Sequence, residues 1–285
     1  ASDDALCRPD RHALNRSEPA FPFIATRSRP QAYARSADAA RLTSLIGGRP
    51  LEHTGPDCED ATMLSRSSTQ YVWRYDERGV YLVGGRDPLR TYGEPVTCRR
   101  IWELMAEPIR RASAKYGVPP ALIVMTVATE TAFARSDGFT GPKTFRWEPR
   151  VRVRDVAPAR LGDYSAGPMQ VLASTARRVI RVFGLPYDPV VTAPPYRERP
   201  ATAPDRHPLY DYDVAIDIGA AVLHRLRPLT GSDPIRIAAA YNAGGLYPTS
   251  ANPWGFRAHG DHLDRAAAWY GDACAVVAEQ ESHRP

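Results

Sequence analysis

The most apolar run in the chain, Ala121-Leu-Ile-Val-Met-Thr-Val-Ala-Thr129, ends on Glu130. It follows Pro119-Pro120, residues suited to a first helical turn, and reads as a helix buried on every side. Upstream, Ile101, Leu104, Met105 and Ile109 recur at helical spacing between Arg99 and Lys115, with Tyr116-Gly117 as the stop. Pro108 is expected to kink or divide that helix. The helical pattern returns over 174–183, 213–228 and 234–244, and a last amphipathic segment runs from about His262 to Ala278. Nearer the start, Ser36–Ile46 reads as a short helix, capped by Ser36 and stopped by Gly47-Gly48. Tyr71–Tyr75 and Val80–Val83 are aromatic and β-branched, and Asp76-Glu-Arg-Gly79 supplies the turn of a β-hairpin between them. Seven prolines from Pro186 to Pro208 predict a long surface loop that is neither helix nor central strand. The pattern as a whole predicts a mainly α chain without internal repeats. An irregular region, 1–97, carries the short helix and the hairpin, and a helical domain, 98–285, carries the proline-rich loop at 186–208.

Composition narrows the class without naming it. At 285 residues, with 43% hydrophobic and 24% charged positions, the chain has the balance of an ordinary globular protein. No apolar run reaches the roughly 18–20 residues that cross a bilayer. The net charge of +5, carried almost entirely by Arg, suits a polyanionic partner: nucleic acid, an anionic membrane surface or an anionic cell wall. Arg-rich stretches near Arg146–Arg160 and Arg197–Arg206 lack interleaved aromatics, so a nucleic-acid platform is not expected. The chain begins Ala1-Ser-Asp-Asp, which fits a mature end after signal-peptide removal and a periplasmic or secreted location; a trimmed chain looks the same. Cys7, Cys58, Cys98 and Cys274 are dispersed, with no CxxC pair. They read as two disulfides, most simply Cys58–Cys98 and Cys7–Cys274, with four buried thiols as the alternative. The histidines show no metal-ligand spacing and read as a scattered surface set, His259 and His262 being the only close pair. Neither a metal nor another cofactor is expected.

Three segments carry polar chemistry. A carboxyl at the end of a buried helix is costly to ionise, which makes Glu130 a usable acid near neutral pH. Taken alone it reads as an ordinary solvated helix end, and only the segments that follow change that reading. Tyr164-Ser-Ala-Gly-Pro-Met-Gln170 is a tight Gly-Pro turn ending in an amide, and Ile237-Ala-Ala-Ala-Tyr-Asn-Ala-Gly-Gly245 presents Tyr241 and Asn242 before a glycine stop. An acid, amides and an aromatic hydroxyl together suit a sugar chain bearing hydroxyl and acetamido groups.

The ordered set Glu130-Thr-Ala-Phe133, Ser165-Ala-Gly-Pro-Met-Gln170 and Ala240-Tyr-Asn-Ala-Gly244 resembles the soluble lytic transglycosylases and their relatives, the goose-type lysozymes. Tyr212–Leu223 is similar to the helix that precedes the last element in that family. The resemblance covers about residues 100–275. It implies a largely helical, lysozyme-like fold that cleaves the β-1,4 bond between N-acetylmuramic acid and N-acetylglucosamine. It implies Glu130 as catalytic acid and then base, closing a 1,6-anhydro ring, and Tyr241 as the hydroxyl that steadies developing charge. Thr131, Ser165, Gly167, Met169, Gln170 and Asn242 would line the sugar sites. The partner is then a peptidoglycan glycan strand, and the enzyme a monomer. Two departures matter: Pro168 stands where the family usually has Leu, and 40 positions separate Glu130 from Gln170, a long interval. The interval contains Glu148 and Asp163. Either is a possible second acid, which would make the enzyme a hydrolytic muramidase instead; a plain turn residue and a salt-bridge partner of Arg146 or Arg150 are the alternatives. A third reading is an inactive cell-wall-binding module.

Overall fold

The computed structural model describes residues 64–66, 71–131, 147–148, 163–195 and 206–282, and for 64–66 and 147–148 the backbone alone. The predicted helix at Ser36–Ile46 lies outside the described residues, as do Cys7 and Cys58.

The chain is mainly helical. In order it forms β1 (Leu64–Arg66), β2 (Val72–Asp76), β3 (Gly79–Leu82), α1 (Val96–Tyr116), α2 (Pro120–Thr131), β4 (Trp147–Glu148), β5 (Ser165–Ala166), β6 (Val171–Leu172), α3 (Ala173–Phe183), α4 (Pro189–Thr192), a 3-10 turn (Pro208–Tyr210), α5 (Tyr212–Thr230), α6 (Pro234–Ala243) and α7 (His262–Ser282). The hairpin forms where the alternation predicted it, β2 pairing antiparallel with β3, and β1 adds a third strand on the far side of β2. A second small antiparallel sheet, β4-β5-β6, was not anticipated.

Helix α2 lies at the centre of the helical packing, against α7, α1 and α5. All nine residues from Ala121 to Thr129 are buried. Leu122, Ile123, Val124, Met125 and Val127 each contribute about 1.5–3 kcal/mol by leaving water. The β-branched residues here are indifferent helix formers, so burial rather than propensity fixes the helix. Its threonines do not leave buried hydroxyls unsatisfied. Thr126, Thr129 and Thr131 each donate back to the carbonyl four residues earlier, at 2.7 Å.

Two expectations about proline need adjusting. Helix α1 is not divided at Pro108 and runs through it as one helix. The proline is half-buried at the edge of the buried stripe Ile101, Met105, Ile109 and Ala112, and packing of that stripe carries the helix past the Leu104 carbonyl, which the proline leaves without its helical donor. The stretch 186–208 contains helix α4, because Asp188 accepts from the Val190 and Val191 N–H groups at 2.8 Å and Pro189 occupies the first turn. Proline with an acidic cap starts a helix rather than breaking one.

The hairpin shares its core with the helices. Trp73 and Val80 are wholly buried among them, and the Trp73 indole N–H reaches both oxygens of Asp233, the N-cap of α6, at 3.3 and 3.2 Å. Gly79 packs so near Gly271 of α7 that a Cβ would stand 3.0 Å from its Cα. Among the described residues no disulfide forms: Cys98 and Cys274 are buried free thiols, and Cys58 and Cys7, the partners expected for them, lie outside the described residues. The Cys98 thiol faces the Trp269 carbonyl at 3.7 Å, and burial pushes the Cys274 thiol up to about 12.

Candidate functional site

Glu130 stands in the last turn of α2, the one residue after Pro120 in that helix that is not fully buried; its side chain is 14% exposed. The start of α7 closes over it. His262 Nε2 lies 3.8 Å from Glu130 Oε1, beyond hydrogen-bond distance but within reach of an ion pair. The ring is not the cation of such a pair. Burial first, and the Arg265 charge second, push the His262 imidazole down to about 3, so it is neutral at ordinary pH. One turn along α7, Arg265 donates to the Thr129 carbonyl at 2.9 Å and to Asp261 at 2.9 Å, stitching the two helix ends together.

Tyr241 approaches from α6. Its hydroxyl donates to the Met169 carbonyl at 2.8 Å, and its ionisation is pushed well up, by burial and then by the charge of Glu130. One hydroxyl thereby joins α6 to the turn between β5 and β6, with the acid as its electrostatic neighbour. Asn242, the next residue, turns its side-chain oxygen to the His259 N–H at 3.0 Å and so holds the loop that leads into α7.

The turn itself is built by close approach. Gly167 has φ +77° and its Cα faces the Leu209 carbonyl, with no room for a Cβ. Gln170 adopts φ +46°, a left-handed conformation that is uncommon outside glycine. Its side chain compensates: Nε2 donates to the Gly167 carbonyl at 2.9 Å, and Oε1 accepts from the Ser165 hydroxyl at 3.0 Å. Met169 is fully buried against Gly219 of α5. On the outer side, the Leu209 N–H donates to His207 Nδ1 at 3.1 Å, which leaves the ring proton of the neutral imidazole on Nε2, facing the Tyr164 hydroxyl at 3.0 Å. Burial pushes His207 down to about 4.

The structure thus brings Glu130, Tyr241, Met169, Gln170, Ser165 and Gly167 into one connected arrangement. Thr131 is buried with its hydroxyl committed to Val127. Asp163 is buried at the start of α3: one oxygen accepts from the Tyr164 and Ser174 N–H groups at 3.1 and 3.0 Å, and the other from the Ser174 hydroxyl. Glu148 lies opposite Ser165 in the β4–β5 pair, and its side chain lies outside the described residues. Sequence reasoning missed His207 and His262, which it read as surface histidines and which are 6% and 4% exposed. The available signals were a His just before Pro208 and a His opening an amphipathic helix. Among the described residues no group of three His, Cys, Asp or Glu side chains could hold a metal, and no helix is long and apolar enough to cross a membrane.

No protein-family model matches the chain, and no curated protein matches it. Among solved structures, the chain is similar to an inactive mutant of the lytic transglycosylase Slt from Pseudomonas aeruginosa, at 19% identity and a TM-score of 0.38. That match covers 63% of this chain and 25% of the other. It is also similar to the 70 kDa soluble lytic transglycosylase from Escherichia coli, at 18% identity and a TM-score of 0.30 over 60% of this chain and 19% of that one. A complex of the 70-kDa soluble lytic transglycosylase with bulgecin A gives 19% identity and 0.30 over 59% and 18%. The chain spans a quarter or less of the length of these solved chains.

Proposed function

We propose that the protein is a lysozyme-like enzyme that cleaves the β-1,4 bond between N-acetylmuramic acid and N-acetylglucosamine in peptidoglycan, outside the cytoplasm and without a cofactor. The observation that carries this reading is the meeting of three sequence-distant segments around one mostly buried carboxyl: Glu130 from α2, Tyr241 from α6, and the Met169 carbonyl that Tyr241 binds.

In this mechanism Glu130 begins protonated. It gives its proton to the glycosidic oxygen as that bond to the muramic acid C1 breaks, a step worth typically 10²–10⁴-fold. The resulting carboxylate then takes the proton of the muramic acid 6-hydroxyl while O6 bonds to C1. That step closes the 1,6-anhydro ring and returns the acid to its starting state. Tyr241, kept neutral by its surroundings, lies beside the charge that develops. The non-hydrolytic route is favoured by what Asp163 does: both of its oxygens are engaged at the start of α3, which leaves it poorly suited to activate a water. Gln170 and Ser165 hold the sugar-facing turn through each other.

The test is Glu130→Gln assayed on purified cell walls, with mass analysis of the wild-type digest. The reading expects lysis to fall by at least 10²-fold and muramic products lighter by one water. Unchanged lysis by the Gln variant sinks the role of Glu130. Reducing ends alone in the wild-type digest would establish the hydrolytic muramidase instead.

A further inference from the structure

The loop 244–261 joins the end of α6, which carries Tyr241 and Asn242, to the start of α7, where His262 lies 3.8 Å from Glu130. Its last residues fold back on α6 through the His259 N–H, which donates to the Asn242 side chain at 3.0 Å. In between, the loop is a small braced hairpin. Pro248 and Phe256 form an antiparallel bridge, and the Thr249 N–H donates to the Gly255 carbonyl at 3.0 Å. The Asn252 side chain fills the bend: its oxygen accepts from the Trp254 and Gly255 N–H groups at 3.0 and 3.1 Å, and its amide donates to the Phe256 carbonyl at 2.8 Å. Trp254 is 2% exposed. It packs edge-on against Tyr71 and Trp73 at the start of β2, and its indole N–H donates to Asp264 of α7 at 2.8 Å. A loop tied in this way holds its side chains in place before a ligand arrives.

Tyr247 and Arg257 meet across that hairpin. The Arg257 N–H donates to the Tyr247 carbonyl at 2.8 Å, and its guanidinium carbon lies 5.5 Å from the centre of the Tyr247 ring, within cation–π range. Gly245 also abuts the ring: a Cβ there would stand 3.2 Å from three of its atoms. Arg257 is half-buried, yet among the described residues its guanidinium has no carboxylate or carbonyl partner. The other half-buried arginines, save Arg236 in the first turn of α6, each spend the guanidinium on such a group. The acidic residues that follow Arg257 are engaged elsewhere, Asp261 with Arg265 and Asp264 with Trp254. A planar, permanently charged fork, held by a ring and with its donors unspent, suits a carboxylate that arrives from outside.

The sugars of a peptidoglycan strand are uncharged except at the branch that the muramic acid lactyl group begins. With the glycan-cleaving function proposed above as premise, we propose that Arg257, oriented by Tyr247, binds a carboxylate of that branch. The carboxylate belongs to the stem peptide where one is attached, and to the lactyl group where the stem has been removed. Arg257 takes no part in breaking the bond. It makes the charged branch a part of substrate recognition.

The experiment measures kcat and KM on soluble glycan strands that carry stems, and on the same strands stripped by an amidase, for the wild type, Arg257→Gln and Arg181→Gln. Arg181→Gln removes one exposed charge from α3 and should match the wild type. Arg257→Gln should raise KM about tenfold and leave kcat within about twofold, as loss of a charge-assisted hydrogen bond to substrate does. A rise on stem-bearing strands assigns the anion to the stem, and a rise on stripped strands assigns it to the lactyl group. Unaltered KM on both overturns the proposal, as does a loss that falls on kcat. Chito-oligosaccharide has acetamido sugars but no carboxylate, and calorimetry should find it bound equally by wild type and variant; weaker binding by the variant marks a displaced loop and overturns the proposal. Failure of the wild type to cleave either strand sinks the glycan-cleaving reading instead. Titration of free stem peptide and of N-acetylmuramic acid into the full chain then decides the Arg257 site: weaker binding of either by Arg257→Gln supports it, and equal binding of both refutes it.

Discussion

Gly167→Ala probes the close approach on which the turn beside Glu130 depends. At φ +77° any L-residue carries a left-handed cost of about 1–2 kcal/mol. The new Cβ would also stand 2.8 Å from the carbonyl carbon of Leu209 and closer still to its oxygen, whereas ordinary contact begins at 3.4 Å. The Leu209 carbonyl cannot retreat alone. It belongs to the 3-10 turn in which the Tyr210 N–H bonds the His207 carbonyl, and His207 in turn holds Tyr164. Overpacking against such a tethered backbone adds about 1–3 kcal/mol, for a total of about 2–5. In a folded unit of this size each kcal/mol lowers Tm by about 2–4 °C, so a fall of roughly 4–20 °C is expected. Gly184 supplies the control: it has φ +58° and nothing within 4 Å of a built Cβ, so Gly184→Ala carries the left-handed cost alone. Thermal unfolding followed by circular dichroism measures both. A Gly167→Ala protein no less stable than Gly184→Ala would refute the steric argument.

Two further outcomes follow from buried polar groups. His207 is neutral in the fold, with its value pushed from 6.5 to about 4 by burial, so the stability it contributes is complete above pH 6.5 and is lost as pH falls toward 4, by up to about 3 kcal/mol. Urea unfolding at pH 7 and pH 4.5 should show this loss, and His207→Phe should reduce the difference; an unaltered pH dependence counts against the assignment. Trp73→Phe keeps the aromatic core but removes the indole N–H from Asp233, which is 1% exposed and also caps Ile235 and Arg236 at the start of α6. The expected loss is about 1–3 kcal/mol in urea unfolding, and a wild-type midpoint would contradict the bond's contribution.

The helices and the hairpin were legible because their signals are local. An apolar stripe at helical spacing, a glycine after it and an Asp-x-x-Gly turn act within a few residues, and α1, α2, α3, α5, α6 and α7 formed where such signals lay. What escaped was non-local or ambivalent. Strands of two residues, as in β4, β5 and β6, are too short for alternation to register, and their pairing is set by the turn between Ser165 and Leu172. Proline signals both start and stop, and its meaning at Pro189 depends on Asp188, while at Pro108 the buried stripe beside it keeps α1 a single helix. For the two described cysteines the alternative of buried thiols holds, because spacing cannot distinguish a partner from a packed neighbour. Cys98 and Cys274 are buried thiols in the seam between α1 and α7, where they serve as small apolar groups.

The candidate site divides along the same line. Residue types could be read from three motifs, but their mutual arrangement rests on contacts across long intervals. The Tyr241 hydroxyl reaches a carbonyl 72 positions away, His207 reaches Tyr164 across 43, and Arg265 reaches the residue before Glu130 across 136. Nothing local at His262 announces that it will face a carboxyl from α2. The consequence is a division of labour among the polar residues that the motifs alone conceal. Gln170, Ser165 and Asn242 have the functional groups suited to a sugar, yet here each makes a bond that shapes the protein itself. Glu130 differs from them. Its side chain is partly exposed at the end of an otherwise buried helix, 3.8 Å from the His262 ring and beside the Tyr241 phenol. A carboxyl carried on so apolar a helix end is the kind of group that low-dielectric surroundings can make a proton donor near neutral pH.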